Sequence, residues 1–90
     1  MQRDDVYRVI DSERDFQDEM TARDSNPEFV DMSMGDILLA IRHNLGLAES
    51  SWYPNAEPFE VSMEYLRKIA ALSVKAGEKY GMKERFRCED

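Results

Sequence analysis

The sequence predicts an all-α fold, a small three-helix protein that assembles into a compact homo-oligomer. Three runs of apolar residues at helical spacing point to the helices, and two turn-forming clusters separate them. The third run carries more apolar surface than one short chain can cover, which points to assembly. Ninety residues make a single helical domain, residues 1–90, with a thin stability margin.

Asp4 or Asp5 is expected to cap the first helix, whose apolar positions are Val6, Val9, Ile10, Phe16 and Met20. Glu13 and Gln17 interrupt that stripe with polar groups. Thr21 to Asp31 reads as a loop, because Asp24-Ser25-Asn26-Pro27 is a turn-forming cluster. Ser33-Met34-Gly35-Asp36 has the spacing of a capping box, with Asp in place of Glu. It opens a second helix carrying Ile37, Leu38, Ile41, Leu45 and Ala48, which Gly46 weakens toward its end. Ser50 to Glu57, with Pro54 and Asn55, forms the second loop.

Pro58 suits the first turn of the third helix, where its missing N–H does no harm, and Gly81 is placed to end it. Gly77 costs its last turns some stability. Such a helix would be about 34 Å long, which is long for a monomer of this size. Tyr65, Ile69, Leu72 and Ala76 lie on one side of it, and Met63, Leu66, Ala70 and Ser73 on another. One stripe serves the core of the chain; the second points to another copy. The alternative is one wide stripe serving a monomer core.

The chain is acidic, with a formal net charge of −7, but the charge is uneven. Residues 1–31 hold four cations against ten carboxylates, residues 32–63 one against four, and residues 64–90 seven against five. The net charge argues against duplex nucleic acid as a partner. Cations gathered on the last third fit a local site for a small anion, or else a solvated helix face. Cys88 is the only cysteine, so neither an internal disulfide nor a cysteine-based metal site can form. A reducing cytoplasm is the expected address, with no membrane partner, since no apolar run approaches the ~20 residues of a span. Met1-Gln2-Arg3-Asp4-Asp5 does not read as a signal peptide.

Catalytic patterns are weak. His43 is the only histidine, with nothing nearby in sequence to orient it as a base. The glycines at 35, 46, 77 and 81 are too scattered for a phosphate loop. Glu13, Asp15, Asp18 and Glu19 cluster on the first helix, as in all-helical nucleotide pyrophosphohydrolases that hold magnesium between carboxylate pairs. The second helix supplies only Asp36, and Glu57 of the Glu57/Glu60 pair precedes Pro58. The expectation is therefore a non-enzyme without cofactor or metal. The aromatics Tyr7, Phe16, Trp52, Tyr53 and Tyr80 could stack on bases, or fill the core or an interface.

Three stretches together resemble a known family. Ile10-Asp11-Ser12-Glu13-Arg14-Asp15-Phe16-Gln17 is similar to an I-x-x-E-R-x-[YF]-Q opening. Leu66-Arg67-Lys68-Ile69-Ala70-Ala71-Leu72 is similar to an [IL]-R-K-[IL]-x-A-L core, and Glu78-Lys79-Tyr80-Gly81 with Arg85 to an E-x-x-G closing. Over residues 6–85 the chain resembles the phage anti-CBASS type 2 proteins, which act as cyclic oligonucleotide sponges. The resemblance implies a homohexamer in the host cytoplasm that binds cyclic dinucleotides, and in some members cyclic trinucleotides, without cleaving them. It implies that Phe16 stacks on a base, beside Arg14 and Gln17. It implies phosphate contacts from Arg67 and Lys68, and from a loop cation for which Arg23 is the candidate, the sole cation in residues 15–41. The family's Tyr is Phe here, so a hydroxyl hydrogen bond is missing. A metal-dependent nucleotide hydrolase and a protein-binding helical adaptor are the alternatives.

Overall fold

A computed structural model describes residues 1–24, 31–52 and 59–86, with the side chains of Arg23 and Asp24 outside that description. They form three helices: α1 Arg3–Asp24, α2 Met34–Trp52 and α3 Phe59–Tyr80. The fold is all-α, as the apolar spacing predicts. Asn26, Pro27, Pro54, Asn55 and Pro58, which carry the turn and helix-start expectations, lie outside the described residues. Among the described residues no helix is long and apolar enough to cross a membrane.

The start of α1 differs from the expected cap. Gln2 holds the cap position: its carbonyl accepts hydrogen bonds from Asp5 and Val6 N–H, each at 3.1 Å. Asp5 works from inside the first turn, where its carboxylate accepts the Gln2 N–H at 3.1 Å and pairs with Arg8. A carboxylate there also meets the positive end of the helix dipole. At the other end α1 runs on to Asp24, past the expected loop start at Thr21. The Thr21 hydroxyl turns back to the Gln17 carbonyl at 2.9 Å, so this residue is satisfied inside the helix.

The capping box of α2 is present with both halves. Asp36 N–H donates to Ser33 Oγ at 3.1 Å, and Ser33 N–H donates to the Asp36 carboxylate at 3.0 Å. That backbone bond from Ser33, with its hydroxyl, holds the Asp36 carboxyl below its ordinary value. The helix then passes the expected end at Ser50 and reaches Trp52. Two bonds hold that last turn. Ser51 Oγ donates to the Leu47 carbonyl at 2.8 Å, and Ser62 Oγ of α3 donates to the Ala48 carbonyl at 3.0 Å. Gly81 ends α3 as expected, at φ +83° with its N–H on the Gly77 carbonyl at 2.9 Å.

Gly46 lies inside α2, and a Cβ built there meets nothing within 4 Å. Gly46→Ala should therefore stabilise the chain by about 0.5–1 kcal/mol, by removing backbone freedom from the unfolded state. Urea titration of the two proteins reads the difference. An unchanged or lower stability would mean that something else packs on this face of α2.

α3 is the central element. α2 packs along one side of it and α1 along another, while α1 and α2 have no close backbone approach. The apolar core is small. Among the described residues only Ile37, Ala48, Ala71 and Leu72 are buried apolar side chains, Ile37 at 1% exposure and Ala71 at 0%. The expected apolar stripe of α1 is not buried in that core: Val6, Val9 and Phe16 are exposed, and Ile10 and Met20 are half-buried. α1 buries Glu13 and Arg14 against α3. The Arg67 guanidinium of α3 donates to Glu13 at 2.7 Å, and Arg14 donates to Glu78 at 2.8 Å and 3.3 Å. Arg67, Ala71 and Glu78 share one face of α3 by their spacing, and Ala71 on that face is fully buried.

Candidate functional site

Because α1 and α2 both pack on α3 and not on each other, a groove remains between them. Its volume is about 370 Å³. Leu72 lies on its floor, between Lys68 and Lys75 of the same helix. α1 forms one wall with Glu13, Phe16, Gln17 and Met20, and α2 forms the other with Ala40 and Asn44. Met32 also lines it, and the Lys79 ammonium donates to the Met32 carbonyl at 2.7 Å while pairing with Asp31.

The α1 wall presents different chemistry residue by residue. Phe16 is 53% exposed, a flat apolar face open to an occupant. Gln17 lines the groove with its Oε1 buried and without a hydrogen-bond partner among the described residues. A buried carbonyl in that state costs roughly 1–3 kcal/mol. Glu13 is only 6% exposed and already satisfied by Arg67.

The cations divide into two groups. Arg14 is 8% exposed and pairs with both Asp18, at 2.6 Å, and Glu78. Burial opposes its charge, but hydrogen bonds to Asp18 and Glu78 outweigh that and hold it firmly protonated. Arg67 pairs with Glu64 at 2.6 Å and with Glu13, and those two hydrogen bonds likewise strengthen its charge. Both arginines join helices. Lys68 is placed differently: it lines the groove, while its ammonium lies 5.4 Å from the centre of the Tyr65 ring, outside the groove lining, and, after the hydrogen bond from Arg67, helps to hold the Glu64 carboxyl below its ordinary value. A cation–π contact at such a site is worth ~0.5–1 kcal/mol, less than the ~1.5–3 kcal/mol of a hydrogen bond between charged groups.

Of the six residues singled out in the sequence, Phe16, Gln17 and Lys68 come together in this groove. Arg14 and Arg67 lie at the α1–α3 contact, engaged with carboxylates. The Arg23 side chain lies outside the described residues. Sequence reasoning did not single out Lys75, Asn44 or Met20 as site residues. Lys75 had a signal, since Lys68, Leu72 and Lys75 follow i, i+4, i+7 spacing and must share a helix face. Asn44 and Met20 had none, because only the packing of the helices brings them to the same groove.

Among the described residues no three His, Cys, Asp or Glu side chains cluster closely enough to hold a metal ion. Compared with family models, with curated proteins and with solved structures, the chain matches none.

Proposed function

We propose that this chain is a sponge for cyclic oligonucleotides of the anti-CBASS type 2 kind. It binds cyclic dinucleotides, and by extension trinucleotides, and holds them intact in the host cytoplasm, so that the effector they would activate is starved of its messenger. The observation that carries this reading is the composition of the groove. One wall offers an aromatic face at Phe16, and Lys68 lines the floor. A nucleotide needs both a surface on which its base can stack and a cation for phosphate.

The groove's volume of about 370 Å³ is near the small end of the ~300–1,000 Å³ that ligand sites occupy. A second copy of the chain is then needed to enclose the rest of a dinucleotide. The surface supports that. Phe59, Met63, Leu66 and Val74 are exposed along the side of α3 turned away from the groove. Met34, Leu38, Leu45 and Trp52 are exposed along one flank of α2, while Ala40 and Asn44 face the groove. A homo-oligomer, up to the hexamer implied by the resemblance, would bury this surplus and bring a second surface to the site.

Phe16 is the residue on which to test the reading. It is half exposed and makes little core contact, so Phe16→Ala should fold normally. It should weaken binding of a cyclic dinucleotide by about 1–3 kcal/mol through lost stacking. Calorimetric titration of parent and variant, with circular dichroism as the folding control, measures this. Equal affinities would remove Phe16 from the site, and a parent that binds no cyclic nucleotide but retains a protein from lysate would favour the adaptor alternative.

A further inference from the structure

Every apolar side chain buried among the described residues belongs to α2 or α3: Ile37 and Ala48 on the first, Ala71 and Leu72 on the second. α1 contributes none. Its two buried side chains are Glu13 and Arg14, both charged, while Ile10 and Met20 are only half-buried. Both charges are bonded to α3, Glu13 by the Arg67 guanidinium at 2.7 Å and Arg14 to Glu78 at 2.8 Å. α3 is also the only helix whose backbone α1 closely approaches. The two kinds of contact differ in strength. Apolar burial stabilises in proportion to the area removed from water. Within a buried ion pair, the attraction is largely offset by stripping water from both charges. α1 is therefore held specifically but weakly, and the α2–α3 pair firmly.

We infer that α1 is a separable arm, which leaves α3 as a unit by breaking both ion pairs while α2 and α3 stay packed. Phe16 and Met20 leave with it, so the motion opens the groove along its whole α1 wall. An occupant larger than the closed volume of about 370 Å³ then has a way in. This motion is independent of what the groove holds. Helices in proteins are stabilised mostly by packing rather than by propensity, so the 22 residues of a released α1 lose protection and their amides exchange with solvent.

Hydrogen exchange of the full chain, read by mass spectrometry without added ligand, tests it on the parent, Glu78→Gln and Ile37→Val. The informative peptides cover residues 9–17, the middle of α1, because the ends of any helix fray. In the parent they should exchange about tenfold or more faster than peptides around Ile37, Ala48 and Leu72. Glu78→Gln takes one charge-assisted contact from Arg14 and should speed exchange of residues 9–17 by about tenfold. Ile37→Val trims a side chain that stays packed when α1 leaves. It should speed exchange in α2 and α3 by about three- to tenfold and leave residues 9–17 unchanged. If residues 9–17 exchange no faster than α2 and α3, or if Ile37→Val speeds all three helices alike, the chain opens as one unit and the inference is overturned. An unchanged rate for residues 9–17 in Glu78→Gln overturns it too, since α1 is then not held through Arg14. No outcome depends on a nucleotide, so the sponge reading stands or falls separately.

Discussion

Arg67→Ala should lower the unfolding free energy by about 3 kcal/mol, a large loss for a surface arginine. The reason is its partner. Glu13 is a carboxylate at 6% exposure, and the Arg67 guanidinium donates to it at 2.7 Å. Removing the arginine leaves that charge buried without its partner, and breaking a buried pair costs ~3–5 kcal/mol. Arg67 itself is partly solvated, which places the expected cost at the low end of that range. Urea unfolding at one protein concentration measures it. The double variant Glu13→Gln with Arg67→Ala should recover part of the loss, because a neutral amide no longer requires the guanidinium. A loss below about 0.5 kcal/mol for the single variant would mean that water reaches Glu13. The same contact bears on the site, since Glu13 belongs to the α1 wall of the groove. Arg67→Ala will therefore weaken ligand binding by loosening α1, and that effect alone does not make Arg67 a phosphate contact.

The second large effect is on assembly. Light scattering after size exclusion should give a multiple of the 10.5 kDa chain mass. Met63→Glu should shift the protein toward the monomer. Met63 is exposed in the single chain, so a carboxylate there has ready access to water and costs the monomer little. Buried between copies, the same carboxylate would be desolvated without a partner, at several kcal/mol. Four buried apolar residues, two of them alanine, make a thin core for the described part of the chain. Assembly is the means by which the exposed apolar residues of α2 and α3 would add to it. A parent that runs as a clean monomer at working concentration removes the intersubunit part of the site.

What could be read from the sequence follows the range of the interactions involved. The Ser33/Asp36 box and the Gly81 stop were legible because each depends on residues within one helical turn. The course of α3 was legible from its apolar spacing and its Gly81 end. The orientation of α1 was not. Glu13 and Arg14 look like breaks in an apolar stripe until their partners are known, and those partners lie 54 and 64 residues away. Periodicity ranks apolar positions; it cannot show that a helix docks through paired charges. The groove was hidden for a similar reason, since it exists because α1 and α2 stay apart. Phe16, Gln17 and Lys68 were singled out through the resemblance, and the packing of three helices brings them together. Lys75 shares their groove on spacing that was visible along α3 but pointed to nothing without its neighbours.

The central claim is that the groove holds a cyclic dinucleotide and leaves it intact. The direct measurement is to incubate the purified chain with magnesium and a cyclic dinucleotide, repurify the complex, denature it, and identify what is released. The account predicts the unchanged cyclic ligand, in fixed ratio to the protein and depleted in the Phe16→Ala preparation. Release of linear or mononucleotide products would show turnover and favour the hydrolase alternative, and release of no nucleotide at all would contradict the account outright.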